Sequence, residues 1–358
     1  MKDIISINGR AVGEGHPAYI IAELSANHGG NFDRAIETIC AMKESGADAV
    51  KLQTYTADTM TIESDREEFR IKGTMWEGKT LHQLYGEAMT PWEWQPKLKA
   101  EAERLGLDCF SSPFDATAIE FLEKMNVPAY KIASFEITDL PLIAFAARKG
   151  KPMIISTGMA SEQEIQEAVA CSQSVGNDQI ILLKCTSTYP APPEEMNLRT
   201  IPDMRERFKV PVGLSDHSLE LAIPIAAVAL GTCAIEKHFC LSRKEPGPDT
   251  AFSLEPQEFR AMVDAVRITE RALGTVSYEP SEKEKTSKKF RRSLYAVEPI
   301  AKGEVFTEKN IRSIRPANGL PPKELPNVLS KHTKSDIERG TPLSWTMIEG
   351  NEGTAGND

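Results

Sequence analysis

Three stretches of this chain end in polar residues spaced two apart: Lys51 with Gln53, Ser215 with His217, and Glu236 with His238. In an extended strand that spacing puts both members of a pair on one face. His217 and His238, presented side by side, could hold one divalent cation, with water, substrate or a carboxylate such as Glu23 completing the shell. Taken singly, each histidine has a plainer reading as a hydrogen-bonded structural residue. Lys51 and Lys131 point to an anion, because burying an ammonium is costly unless a negative group meets it. Ser112, Ser134, Ser156 and Ser215 stand at comparable places and can donate to phosphate oxygens. The combination suits a phosphorylated carboxylic acid better than a neutral sugar. Two rivals stay open. A desolvated lysine could attack a carbonyl, as in a Schiff-base aldolase. Alternatively, ion pairs with Glu23, Glu136 or Glu236 would make the lysines structural, a reading that accounts for one lysine more readily than for two.

Chemistry assembled from such distant positions needs elements that bring them to one place. Near-continuous apolar runs rich in Ile, Val and Ala occupy residues 18–24, 48–53, 107–112, 129–134, 152–157, 179–186, 210–215 and 234–239. Runs of that texture suit strands buried on both faces of a parallel sheet. The segments between them have helical spacing and helix signals. Asn31 caps a helix that Gly46 closes, and Ser161 with Glu164 forms a capping box. Eight strand–helix units ending near Gly274 match the roughly 250 residues of an α/β protein of the (β/α)8 TIM-barrel class, whose active site lies at the C-terminal strand ends. A doubly wound sheet would carry a glycine-rich turn after its first strand, and Ala26-Asn27-His28-Gly29-Gly30 does not fit one. The chemistry-bearing residues sit at the expected ends, together with Ser111, Lys184, Ser187, Tyr189, Asp216 and Lys237.

One connection, Thr54 to Thr90, is too long for a simple turn; with Trp76 and Tyr85 in it, it reads as an ordered lid or wall before a helix starting at Pro91. The texture changes after residue 274. The domain reading is a barrel over 1–278, a polar linker over 279–289, a small domain over 290–350 with short strands at 293–297 and 311–314, and a disordered tail over 351–358.

Composition narrows the function further. The 358 residues are 41% hydrophobic and 26% charged, ordinary for a folded globular chain. Lys+Arg 42 against Asp+Glu 52 leaves a net charge of −10. That argues against a general binder of nucleic acid or anionic membranes. The longest apolar candidate, Leu221 to Ile235, is broken by Pro224 and Gly231 and falls short of the roughly 20 residues of a membrane span. The N-terminus lacks a signal-peptide stretch, and Cys40, Cys109, Cys171, Cys185, Cys233 and Cys240 are scattered without a C-x-x-C pair. The expectation is a cytoplasmic protein with reduced thiols.

At these residues the sequence resembles the nonulosonic (sialic) acid synthases. The resemblance is carried by Ile21-Ala22-Glu23-Leu24-Ser25-Ala26-Asn27-His28-Gly29-Gly30, Lys51-Leu52-Gln53, Ser111-Ser112-Pro113-Phe114 and Tyr130-Lys131-Ile132-Ala133-Ser134. It continues through Ser156-Thr157-Gly158-Met159, Gly213-Leu214-Ser215-Asp216-His217-Ser218, Glu236-Lys237-His238-Phe239 and Pro246-Gly247-Pro248-Asp249. Arg315-Pro316-Ala317-Asn318-Gly319 is similar to the antifreeze-like (SAF) domain that follows the barrel in this family. The resemblance implies condensation of phosphoenolpyruvate with an open-chain acetamido sugar and water, giving a nine-carbon 2-keto acid and phosphate.

It also implies roles. His217 and His238 match the ligands of a divalent metal, Mn2+ or Mg2+, acting as a Lewis acid. Glu23 matches a carboxylate active in proton transfer. Lys51, Lys131, Ser112, Ser134, Ser156 and Ser215 match positions around phosphoenolpyruvate. Gln53, Tyr189, Asp249 and Arg315 match positions that contact the sugar, Arg315 being delivered by the partner chain of a domain-swapped homodimer. Lys184 and Ser187 stand where the sialic branch has His and Asn. With residues 64–76 and 183–190 they look most like the pseudaminic branch, whose acceptor is 2,4-diacetamido-2,4,6-trideoxy-L-altrose. The methyl group of that sugar would favour an apolar wall, for which Phe69, Met75 and Trp76 are candidates. A carbohydrate-binding protein with an inactive barrel is disfavoured, since it has no physical reason to keep buried charges.

Overall fold

The computed structural model describes residues 3–74 and 76–350, so Met75 and the tail 351–358 lie outside the described residues. The chain divides into two compact units, residues 1–274 and 275–358.

The first unit opens with an antiparallel hairpin, β1 (Ile4–Ile7) and β2 (Arg10–Gly13). Eight parallel strands follow: β3 (Tyr19–Glu23), β4 (Ala49–Thr54), β5 (Asp108–Pro113), β6 (Tyr130–Ile132), β7 (Met153–Ser156), β8 (Ile180–Cys185), β9 (Val212–Asp216) and β10 (Ala234–His238). They close into a barrel in chain order, with β10 pairing back onto β3. Each of the eight apolar runs in the sequence becomes one of these strands. Their outward residues, among them Ile20, Val50, Leu52 and Ile235, pack on helix residues Ile39, Met42, Leu98 and Phe259 in one core. Inward residues Tyr19, Ile21, Phe110 and Leu183 join a second core that includes Ile5, Ile7 and Val12 of the hairpin. The hairpin thereby plugs the N-terminal end of the barrel. Asn8 and Tyr19 both donate to Asp108, at 2.7 and 2.6 Å, and Arg10 pairs with Asp48 at 2.5 Å. The apolar-run reading did not register the hairpin, because its four-residue strands are too short to stand out.

Local signals hold where they were expected. The Asn31 side chain accepts from the Arg34 amide to cap the helix 32–44, and Ser161 with Glu164 makes a reciprocal capping box on the helix 162–174. Gly213 is the one small residue its strand requires: a Cβ there would lie 2.5 Å from Leu183 Cδ2 and 2.7 Å from the Ala234 carbonyl. The helix expected from Pro91 begins at Gln95 instead, after a turn over 91–94. The long connection after β4 carries a short helix at 57–60 and another at 81–88, the latter opened by a Thr80–Gln83 capping box.

In the second unit β11 (Ser293–Ala296) pairs antiparallel with β12 (Ile311–Ile314). Its core gathers Leu294, Ala296, Ile300, Phe306, Ile311, Val328, Leu343 and Ile348. Segment 279–289, read as a polar linker, contains an exposed helix at 282–287 capped by Ser281 and Glu284. The capping signal was in the sequence, and the lack of apolar periodicity hid it.

Candidate active site

Strand parity decides which polar residues enter the barrel mouth. A cavity of about 370 Å3 opens there, lined by Glu23, Lys51, Gln53, Ser112, Lys131, Ser134, Ser156, Tyr189, Ser215, Glu236, His217, His238 and Asp249 among others. Twelve residues singled out from the sequence as catalytic, substrate-binding or metal-ligating therefore share one cavity. Ser187 does not line it: it lies behind Gly158, 3.8 Å from the Cys185 thiol. Arg315 follows β12 in the second unit and is exposed.

At the centre two carboxylates share two ammonium groups. Lys51 Nζ lies 2.9 Å from Glu23 Oε2 and 2.9 Å from Glu236 Oε1. Lys131 Nζ is 3.5 Å from the same Glu236 oxygen and donates to Ser156 Oγ at 2.7 Å. Ser215 Oγ donates to Glu236 Oε1 at 3.0 Å, and Gln53 Nε2 to Glu23 Oε1 at 2.7 Å. All four charged residues are buried. The ion-pair alternative thus accounts for both lysines, against the expectation that it would serve only one. Two strands 185 residues apart in sequence meet in the Lys51–Glu236 pair, which no local pattern reveals.

The electrostatics follow from this sharing. Burial opposes ionisation of Glu23, yet His238 and Lys51 beside it hold its carboxyl well below the usual range. Burial likewise penalises a charged Lys51, but Glu23 and Glu236 outweigh it and raise the ammonium above its ordinary value. Lys131, with one distant carboxylate, is lowered by burial.

The two imidazoles stand 5.3 Å apart, centroid to centroid. His217 Nδ1 donates to the Thr186 carbonyl at 3.0 Å, which leaves its Nε2 with a free lone pair. His238 Nε2 is 3.1 Å from Glu23 Oε2, and its buried Nδ1 has no hydrogen-bond partner. Among the described residues no group of three or more His, Cys, Asp or Glu is arranged to hold a metal. The pair fits a divalent cation as two protein ligands whose remaining positions fall to water or substrate.

Other polar residues at the strand ends face away. Lys184 Nζ donates to Thr186 Oγ1 at 2.8 Å and to the Cys185 carbonyl at 3.2 Å, outside the cavity lining. Lys237 pairs with Asp216 at 2.5 Å on the helix side of the sheet, and Ser111 bonds Thr54. Sequence reasoning placed all of these at the mouth by position and lost them by parity. It missed Cys185, which faces inward in register with Ser215. Phe69 is absent from the cavity lining, whereas Trp76 lines it and donates its indole N–H to the Pro248 carbonyl at 3.0 Å.

Glu136, named from sequence only as an ion-pair partner, also lines the cavity, with Oε2 buried and without a partner. The nearby Ser134 Oγ accepts from the Gly158 amide at 3.1 Å, and a Cβ on Gly158 would collide with that oxygen.

Comparison with known proteins adds an independent line. A model of the NeuB family matches residues 38–278, and a SAF domain model matches residues 291–349. The pseudaminic acid synthase of Campylobacter jejuni (serotype O:23/36, strain 81-176) is 47% identical over 325 residues, covering 91% of this chain and 95% of that protein. The pseudaminic acid synthase of Helicobacter pylori is 46% identical over 336 residues, covering 93% of this chain and 98% of its own. Among solved structures, the N-acetylneuraminic acid (sialic acid) synthetase of Leptospira borgpetersenii superposes with a TM-score of 0.71 at 31% identity, covering 79% of this chain and 94% of that one.

Burial pushes the Glu136 carboxyl from its ordinary 4.5 up to about 7, against the opposing pull of Lys131. Between those values the folded state binds more protons than the unfolded one, so stability falls as pH rises through the window and stays reduced above it. Glu136→Gln is therefore expected to be more stable than the native chain near pH 8, by on the order of 1–3 kcal/mol, with the advantage vanishing near pH 4. Urea unfolding across that range checks it; a difference independent of pH would refute the buried-carboxyl account.

Proposed function

The chain belongs to the NeuB family and carries a SAF domain, and we propose that it is a nonulosonate synthase of the pseudaminic type. It would condense phosphoenolpyruvate with 2,4-diacetamido-2,4,6-trideoxy-L-altrose and water, giving pseudaminic acid and phosphate. The observation that carries the reading is the barrel-mouth cavity itself. A buried carboxylate–ammonium cluster and a pair of imidazoles occupy one part, and an apolar wall from the connection after β4 lines another.

Each part has a task in that reaction. Lys51 and Lys131, with the hydroxyls of Ser112, Ser134, Ser156 and Ser215, offer donors to the phosphate and carboxylate of phosphoenolpyruvate. Ser112 Oγ is buried without a partner, so its donor is free for such a ligand. When the trianion draws Lys51 toward itself, Glu23 keeps His238 but loses one of the groups that favour its ionised form, and gains basicity. It is then able to take a proton from the water that adds to C2. Gln53, Tyr189 and Asp249 line the same cavity and would contact the sugar. His217 and His238 would hold the divalent metal, Mn2+ or Mg2+, whose Lewis acidity polarises the sugar aldehyde when it is bound. Legionaminate or N-acetylneuraminate synthesis, with another acetamido sugar, is the alternative within the family. Against it stand the apolar wall and the higher identity to pseudaminic acid synthases.

Direct assay tests this. Released phosphate and product mass, read with phosphoenolpyruvate and a panel of acetamido sugars, should give a far higher kcat/KM for the diacetamido-trideoxy-altrose than for N-acetylmannosamine. Equal or better use of N-acetylmannosamine would overturn the pseudaminic assignment and leave the family intact.

Metal dependence is tested on the same assay. Chelation should abolish turnover and added Mn2+ restore it, while His217→Ala and His238→Ala each weaken Mn2+ binding in calorimetry. Full activity in metal-free buffer, with a borohydride-trapped adduct on Lys51 or Lys131, would instead favour a Schiff-base mechanism.

We further propose a domain-swapped homodimer in which the second unit of one chain brings Arg315 to the partner's cavity, where its fork of donors meets several sugar oxygens at once. The test mixes Arg315→Ala and Lys51→Ala subunits, each nearly inactive alone, and lets dimers exchange. Action across the interface leaves one intact site in each mixed dimer and restores about a quarter of the activity. Action within one chain restores none.

A further inference from the structure

The register between β9 and β10 ends at Asp216 and Lys237, one residue short of the two imidazoles. His217 already lies beyond the last residue of β9. His238 is the last residue of β10 and still pairs with Glu23 of β3. The ladder thus fixes His238 against Glu23, whereas His217 needs a different tie to hold it beside them.

Lys237 supplies that tie from the helix-facing side of the sheet. Its ammonium donates to Asp216 Oδ2 at 2.5 Å, to the Ser218 carbonyl at 2.5 Å and to Ser218 Oγ at 3.5 Å. The Ser218 amide in turn donates to Asp216 Oδ1 at 2.8 Å. The residues on both sides of His217 are therefore wrapped around one ammonium, carried by the residue just before His238. Asp216, Ser218 and Lys237 are each 1% exposed. The other bonds of His217 hold it elsewhere: its carbonyl accepts from the Ala191 amide at 3.1 Å, and its Nδ1 meets the Thr186 carbonyl. Both tie it to the segment after β8 and not to β10. Stability alone gives little reason for the charges. Ile235 and Phe239, two residues to either side of Lys237 on the same face of β10, are buried in an apolar core. An apolar side chain at 237 would pack there without taking two charges out of water.

We propose, on the reading of the two histidines as metal ligands, that Asp216 and Lys237 are positioning residues. They set the spacing of His217 and His238, and with it the affinity of the imidazole pair for a divalent cation. Two imidazoles leave most of a cation's shell to water or substrate, so both nitrogens must meet the ion at once. The buried Nδ1 of His238 has no hydrogen-bond partner, so its ring is placed chiefly by the strand that carries it and by its contact with Glu23. A slip of the β9 end past β10 would move His217 alone and open the pair. The bonds from Lys237 to Asp216 and Ser218 oppose that slip, because they cross from one strand end to the other.

Calorimetric titration of the metal-free protein with Mn2+, run beside urea unfolding of the same samples, tests this. The double variant Asp216→Asn/Lys237→Met removes both charges at nearly constant volume and keeps an oxygen for the Ser218 amide. It should unfold near the native urea midpoint and yet bind Mn2+ about tenfold to a hundredfold more weakly. Saturating Mn2+ should restore most of its kcat with the KM for phosphoenolpyruvate unchanged, because the ladder still pairs Ser215 with Glu236. Asp216→Glu keeps the charge pair but lengthens one arm by a methylene. It should weaken Mn2+ binding about tenfold, and it carries the test if the double variant fails to fold. A pair that only stabilises the fold gives the opposite pattern: native Mn2+ affinity in every folded variant, whatever its urea midpoint. That result overturns the proposal, as does a KM for phosphoenolpyruvate that stays raised at saturating Mn2+. The two readings fail separately. A native protein that binds no Mn2+, or binds it equally well after His217→Ala, refutes the metal reading and this proposal with it. Native binding that needs both histidines and survives in the double variant refutes the positioning pair alone.

Discussion

Two carboxylates sharing two ammoniums in a desolvated barrel mouth set the terms for the rest of this molecule. Moving any one of these charges out of water costs several kcal/mol, and only its partners offset that. Glu23, Lys51, Lys131 and Glu236 come from four strands, β3, β4, β6 and β10. Their pairing distances of 2.9 to 3.5 Å exist only if the sheet closes, bringing β10 against β3. The plugged N-terminal end serves the same purpose, because the layer of Tyr19, Ile21 and Phe110 beneath the charges is completed by Ile5 and Ile7. A cluster balanced in this way has no surplus positive charge waiting for an anion. In the reaction proposed above, an incoming anion would compete with these carboxylates for the lysines.

Much of the fold was legible because barrel strands are buried on both faces and announce themselves as apolar runs. Parity along those runs correctly brought Lys51 with Gln53 and His217 with His238 to the mouth. It failed where polar residues were counted by position alone. Lys184, Asp216 and Lys237 occupy strand ends but point toward the helices, where Asp216 and Lys237 neutralise each other. Cys185 was passed over although it faces inward beside them. The apolar wall was the least legible part. A connection without periodicity gives no rule for which side chains turn inward, so Phe69 was favoured while Tyr55, Met60 and Leu84 escaped notice. Likewise, the Lys51–Glu236 pair depends on the closure of the barrel and leaves no local trace.

The cavity therefore has two parts with different mechanical origins. Its charged part is mounted on strand ends, where the register of the closed sheet fixes each side chain relative to its neighbours. Its apolar part hangs from the connection after β4 and is tied down by a few bonds: Trp92 to Tyr55, Gln95 to Thr54 and Gln53, and Trp76 to Pro248. Substitutions in the first part disturb a buried charge balance and are costly wherever they fall. Substitutions in the second exchange one apolar contact for another at modest cost. A scaffold divided in this way can keep its charged part constant while its apolar part is altered, because the two share a cavity but not their supports.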